Sequence, residues 1–305
     1  MNTAKRVTKK KTVGVIGLGI MGSAIAGNLL QDGFEVHGYD ADARRHKALA
    51  KMGILVAADV AAVALNSKII LLSLPSVIAL EMVTDALVIA AGRGTIVAEL
   101  STLPAQAKDA SRQKLAAAGI ELLDCPLSGT GAQAKTRDLA VYASGNPQAI
   151  KKIKPVLAGF ARAQYNVGEF GKGMQMKLVA NLLVAIHNVS TAEALLLGTR
   201  MGLDARQIVD VVSDGAGGSR MLQVRGPMMC DRSWDNATMK VDVWEKDMNL
   251  IGDAIKSHCV PAPLFSACIP IYHAAQALGN GERDTAVVYD VLEKWARPLT
   301  EVSKA

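Results

Sequence analysis

The chain has 305 residues, half of them hydrophobic and a fifth charged, enough for a sizeable core and about two domains. Of its +6 formal charge, five cations come from Lys5, Arg6, Lys9, Lys10 and Lys11. Without stacking aromatics or a reading helix, this basic arm over 1–11 reads as a solvated tail and not as a nucleic-acid site. No apolar run approaches bilayer length, no leader pattern follows Met1, and Cys125, Cys230, Cys259 and Cys268 form no CxxC pair. The expectation is a cytoplasmic globular protein with no membrane, metal or disulfide framework.

Thr12–Ile16 reads as a buried parallel strand, 20–30 as a helix, and Glu35–Tyr39 as a second strand ending at Asp40. Between the first two lies Gly17-Leu18-Gly19-Ile20-Met21-Gly22. In such a run Gly17 allows the tight turn, Gly19 lets the backbone approach a pyrophosphate, and Gly22 lets the helix pack closely on the strand, its N-terminus facing the phosphates. Asp40, 18 residues past Gly22, is placed to hold a ribose hydroxyl and so to favour NAD. Arg44 and Arg45 follow it and could face a 2′-phosphate, which keeps NADP possible.

The alternation then continues, favouring a doubly wound α/β sheet with helices on both faces. Ile69–Leu72 ends in Ser73-Leu74-Pro75, a strand at 95–99 ends in Ser101-Thr102, and another spans 120–124. Loops at such carboxyl ends carry function. Segments 139–143 and 163–167 read as further strands with a helix from Pro147 between them, so a dinucleotide-binding domain is expected over 12–168.

Residues 169–305 read as an all-helical substrate and dimerisation domain. A helix over 174–200, apolar on most of its circumference, is expected to form the spine between the two domains, followed by helices at 204–212, 243–257, 264–278 and 285–295. Gly215, Gly217, Gly218 and Gly226-Pro227 mark a loop region, in which Arg220 and Arg225 are either pocket cations or surface ion-pair members. On the long helix Lys177, Asn181 and Asn188 project within about 40° of one another. A buried ammonium is costly unless it has partners or can lose its proton, so Lys177 is either a lysine snorkelling to the surface with Asn181 as its partner or a group with chemistry to do.

The stretch Gly168-x-x-Gly171-x-Gly173-x-x-x-Lys177-x-x-x-Asn181 resembles the lysine signature of the β-hydroxyacid dehydrogenases, the group containing 3-hydroxyisobutyrate dehydrogenase, tartronate semialdehyde reductase and L-threonate dehydrogenase. Nearly the whole chain shares the resemblance. Gly17 to Gly22 is similar to the family's GxGxMG, Leu74-Pro75 to its LP pair, Ser101-Thr102-x-Pro104 to its STxxP, Asp124 to Thr130 (DCPLSGT) to its DAPVSGG, and Lys246-Asp247 to its KD pair. The resemblance implies Lys177 as general acid/base, Asn181 orienting it, and Ser128, Gly129 and Thr130 binding a substrate carboxylate. It also implies Leu74, Pro75, Thr102 and Lys246 beside the cofactor, a small hydroxy-acid substrate, and a homodimer or homotetramer. Desolvation makes an ammonium easier to deprotonate, which suits a lysine to proton exchange as a carbonyl forms.

Thr130, with Gly131 after it, replaces the family's second glycine, and Cys125 and Leu127 replace its alanine and valine. Cys125 lacks an evident basic partner and reads as packing. Three alternatives remain: an imine reductase, where a lysine at this position is not usual; 6-phosphogluconate dehydrogenase, which carries a His where Ala180 stands; and an inactive nucleotide-binding module working through the basic arm. L-threonate, glycerate or tartronate semialdehyde, 3-hydroxyisobutyrate and 4-hydroxybutyrate are all open as substrates.

Overall fold

The computed structural model describes residues 11–296, so all but the last residue of the basic arm lies outside the described residues. The chain divides into two compact units, Met1–Lys177 and Leu178–Ala305.

The first unit runs β1 (Thr12–Ile16), α1 (Ile20–Gln31), β2 (Glu35–Tyr39), α2 (His46–Lys51), β3 (Leu55–Val56), α3 (Val60–Asn66), β4 (Ile69–Leu72), α4 (Val77–Ala90), β5 (Ile96–Glu99), α5 (Ala105–Ala117) and β6 (Glu121–Asp124). These six strands form one parallel sheet in the order β3-β2-β1-β4-β5-β6. Strand residues alternate between two cores. Val13, Val15, Leu71 and Leu123 pack with Ile25 and Leu29 of α1, while Ile16, Ile70, Leu72 and Val97 pack with Val63, Leu80 and Leu115 of α3, α4 and α5. Burial on both faces is why the central strands β1 and β4 are apolar almost throughout, while β5 and β6 end on the acids Glu99 and Asp124. The register sets Tyr39, Ile16, Leu72, Glu99 and Asp124 in one row across the sheet. The loops that leave these strand ends therefore share one edge, and the order reverses between β1 and β4, where open α/β sheets bind ligands.

The strands expected at 139–143 and 163–167 do not extend this sheet. They are β8 (Ala140–Ala143) and β9 (Ala163–Asn166), which join β7 (Leu127–Ser128) in a second sheet ordered β7-β8-β9, with α6 (Gly131–Lys135) and α7 (Pro147–Ala158) between them. The two sheets are stitched by the isolated bridge Asp124↔Ser144.

The helix α8 (Lys172–Arg200) starts two residues before the sequence expectation, and α9 (Ala205–Ser213), α10 (Arg220–Cys230), α11 (Val241–Ser257), α12 (Pro263–Ala277) and α13 (Val288–Trp295) follow. Among the described residues of the second unit all regular elements are helices, with one isolated bridge, Lys240↔Asp284. Two expectations need correction. Gly226-Pro227 is not loop: it lies inside α10, which Ser219 caps by accepting from Leu222 N at 3.0 Å. A side chain on Gly226 would come 2.8 Å from Val209 Cγ2, so this glycine allows α10 to pack against α9. An apolar run of bilayer length is also present after all. An 18-residue window of α8 has a mean hydropathy of 1.4, although Ala185, Val189, Ala192 and Leu195 of this helix pack in the core of the second unit.

Candidate active site

The glycine loop shows three different needs for glycine. Gly17 has φ +84°, and a Cβ there would strike Ser73 O. On Gly22 a Cβ would strike Gly17 O. Around Gly19 the same test finds nothing within 4 Å, so its face is open to an approaching group. Gly19 is also the N-cap of α1 and offers no side-chain cap, whereas Asp59, Ser76 and Asn146 cap α3, α4 and α7. The first-turn amides of α1, with no acid among those residues, fit a diphosphate.

Asp40 ties this loop to the end of β2. Its Oδ2 accepts from Leu18 N at 2.7 Å and its Oδ1 from Asp42 N at 2.8 Å, leaving lone pairs for a ribose. Arg44 is turned away into a two-point pair with Asp42, Nε–Oδ1 at 2.7 Å and Nη2–Oδ2 at 2.9 Å, and Arg45 Nε lies 3.4 Å from Asp42 Oδ2. The hydrogen bond from Arg44 lowers the Asp42 carboxyl to about 2.

Two strand ends further along, Leu74 N donates to Ser101 Oγ at 2.7 Å, and Ser101 N donates to Glu99 Oε1 at 2.9 Å. This joins the loop of Leu74 and Pro75 to the loop of Ser101 and Thr102. Beneath them lies a feature that the sequence reading missed. Lys108 of α5, 1% exposed, sits 2.6 Å from Glu99 Oε2 and 2.7 Å from Asp124 Oδ1, both residues fully buried. Burial opposes the ammonium, but the two carboxylates outweigh it and hold the Lys108 pKa above its ordinary value.

The other oxygen of Asp124 accepts from Met174 N at 2.7 Å, and Ser144 Oγ accepts from Gly173 N at 2.9 Å. These are caps supplied from the sheets to the first turn of α8, and they explain why the helix begins inside a glycine-rich segment. The glycine signature has a physical basis too. Gly168 and Gly171 take φ +111° and +91°, and a Cβ on Gly173 would lie 2.7 Å from Asp124 O. Lys177 follows one turn later and is 8% exposed.

The loop after β7 presents Ser128, with Gly129 at φ +133°. Thr130 is engaged otherwise: its amide donates to Gln133 Oε1 at 3.0 Å and its hydroxyl accepts from Gln133 N, forming the capping box of α6. A Cβ on Gly131 would come 2.5 Å from Ile20 Cγ2, so this loop rests on the first residue of α1. Cys125 is fully buried, and burial raises its thiol pKa strongly, which removes it as a nucleophile.

In the second unit, Asn181 Nδ2 donates to Asp247 Oδ2 at 2.8 Å, with both residues buried, and Lys246 Nζ lies 3.9 Å from Asp247 Oδ1. Asp247 thus fixes which end of the Asn181 amide faces which way, a role the sequence did not suggest. Asn188 is drawn into the helical core, its Nδ2 donating to Tyr272 OH and to Thr285 O. Arg225 is neither a pocket cation nor a surface residue: it is 2% exposed, 3.2 Å from Asp284 Oδ1, and also bonded to Thr285 Oγ1. Arg220 stays exposed and reaches Gln223 Oε1 at 3.4 Å.

The strand order, the uncapped α1 behind an open glycine loop, and the acid ending β2 define a dinucleotide-binding protein of the doubly wound class. Comparison with known proteins narrows this. Residues 12–191 match the NAD binding domain of 6-phosphogluconate dehydrogenase, and residues 171–292 match the NAD-binding domain of NADP-dependent 3-hydroxyisobutyrate dehydrogenase. An L-threonate dehydrogenase of Haemophilus influenzae is 33% identical over 94% of this chain and 97% of its own. A 2-(hydroxymethyl)glutarate dehydrogenase of Eubacterium barkeri is 29% identical over 94% and 96%. Among solved structures, a 3-hydroxyisobutyrate dehydrogenase from Salmonella typhimurium superposes with a TM-score of 0.83 at 28% identity, covering 92% of this chain and 100% of that one. The chain belongs to the β-hydroxyacid dehydrogenase family: it is an NAD(P)-dependent oxidoreductase acting on a small hydroxy acid.

Proposed function

We infer that the protein passes a hydride between NAD and a small β-hydroxy acid, with Lys177 as general acid/base. The observation that carries this reading is a lysine only 8% exposed, one helical turn from an asparagine whose amide Asp247 holds at 2.8 Å. The glycine loop and Asp40 would hold the cofactor, which when bound accepts the hydride from the carbon bearing the hydroxyl. As that carbon becomes a carbonyl, Lys177 takes the hydroxyl proton, and in reduction its ammonium returns it. Asn181 orients the reacting oxygen. Ser128 Oγ and the Gly129 amide hold the carboxylate, now without help from the Thr130 hydroxyl. L-threonate heads the substrate panel because relatives 30 to 33% identical bear that name.

The test is turnover of Lys177→Ala beside its Kd for NADH. Loss of a general acid/base costs about 10²- to 10⁴-fold in kcat, while NADH binding stays within about twofold because the pyrophosphate grip is elsewhere. A variant keeping more than about a third of the wild-type rate overturns the assignment.

A further inference from the structure

We propose that Lys108 is a positioning residue for the reaction: its buried ammonium clamps Glu99 to Asp124 and thereby fixes the first turn of the helix that carries Lys177. This rests on the reading of Lys177 given above.

The connections are continuous and lie within the first unit. Glu99 and Asp124 end adjacent strands and are register partners, so their side chains share one buried place at the functional edge of the sheet. Two carboxylates there repel unless a cation or a proton lies between them. Lys108 supplies the cation, at 2.6 and 2.7 Å. Each carboxylate uses its other oxygen outward: Glu99 Oε1 receives Ser101 N, and Asp124 Oδ2 receives Met174 N. One charge therefore sets two structures, the loop of Ser101 and Leu74 on one side and the start of α8 on the other. A buried ion cluster is a poor source of stability, because apolar replacements of similar volume are often neutral or better. Its value here is geometric. Met174 lies three residues before Lys177, so any tilt of this turn moves the lysine directly.

The glycine loop and Asp40 contact none of the cluster's members, so NADH affinity is expected to fall less than kcat, although the loop of Leu74 and Ser101 hangs from Glu99. The experiment compares Lys108→Met, which keeps the stem and removes the charge, with Ser144→Ala, which deletes the neighbouring cap on Gly173 N and serves as the mild variant if the first folds poorly. A third variant, Lys108→Met with Asp124→Asn, removes one of the two unpaired charges and keeps an amide oxygen to accept from Met174 N. Measurements are kcat with the best hydroxy acid of the panel, Kd for NADH by fluorescence, and Tm, with Lys177→Ala alongside.

Misplacing a reacting group by about 1 Å costs up to about 100-fold, so Lys108→Met should lose at least about tenfold in kcat and Ser144→Ala several-fold, with NADH Kd changing clearly less than kcat in both. The added Asp124→Asn should recover part of the loss. If Lys108→Met and Ser144→Ala keep kcat within about twofold of wild type while Lys177→Ala is inactive, the clamp is refuted and the role of Lys177 stands. Equal loss of kcat and NADH affinity refutes it in favour of a purely structural role. An active Lys177→Ala overturns both readings.

Discussion

Asp247 accepts a hydrogen bond from Asn181 Nδ2 at 2.8 Å across 66 residues of sequence, with both side chains buried. Asn181 is thereby held by an acid on α11. Hydrogen bonds to charged groups are worth roughly 1.5 to 3 kcal/mol, so Asp247→Ala should lower kcat/KM by about 10- to 150-fold through a misoriented amide. Asn181→Ala should fall comparably, and the double variant should fall little further than either single one. A double-mutant cycle in kcat/KM checks this: full additivity means that the two residues act apart.

Cofactor choice should follow the pairing of Arg44. If Asp40 faces the ribose as proposed, with Arg44 bound at two points by Asp42, the wild type should prefer NAD in kcat/KM. Asp42→Ser releases Arg44. Because the pair is fully exposed and weakly held, this change should shift the ratio toward NADP only modestly, by about fivefold or less. Asp40→Ser should shift it further and also weaken both cofactors, because it cuts the bond from Leu18 N. Equal use of NADP by the wild type would refute this account.

What could be read from the sequence was local. The glycine loop, Asp40 and the strand ends follow from periodicity and spacing, and the sheet puts them in one row as expected. Lys108 escaped notice because lysine on an amphipathic helix is normally solvated, and only its three- and seven-residue spacing to Ser111 and Leu115 marks it as facing inward. Asp247 was visible as a neighbour of Lys246 and not as the anchor of Asn181, since nothing in sequence links positions 66 residues apart. The helix α10 was hidden by Gly226-Pro227, residues that punctuate loops unless a tertiary contact such as Val209 calls for a glycine.

The Arg225–Asp284 pair should govern acid stability. Burial raises the Asp284 carboxyl, but Arg225 and donors from Ala286, Met239 and Thr238 outweigh it, so its folded pKa lies below the ordinary value. Such a group stabilises the fold above its unfolded pKa of about 3.9 and loses that contribution as pH falls through the folded one. Asp284→Asn should therefore flatten the acid limb of stability below about pH 4. Arg225→Met leaves a buried carboxylate unpaired and should cost about 3 to 5 kcal/mol near neutrality, a loss the double variant should partly recover. Urea midpoints from pH 3 to 8 test the set, and an unchanged midpoint for Arg225→Met would count against the pair.

The last prediction separates two residues of one loop. Thr130 caps α6 and Ser128 does not, so their alanine variants should fail differently. Thr130→Ala should lose about 1 kcal/mol of stability, the usual worth of an N-cap, with little change in discrimination between substrates. Ser128→Ala should fold normally and lose a contact to the substrate carboxylate. Replacing the best hydroxy acid by its primary amide removes the charge that the loop is proposed to read. In the wild type this should lower kcat/KM by about tenfold to several-hundredfold, the worth of one or two charged hydrogen bonds. Ser128→Ala should then discriminate less between acid and amide, having already lost one of those bonds, while Thr130→Ala should discriminate as the wild type does. Equal turnover of acid and amide by the wild type would show that this loop does not hold a carboxylate. If Thr130→Ala, and not Ser128→Ala, loses discrimination, the Thr130 hydroxyl leaves its cap to meet the substrate.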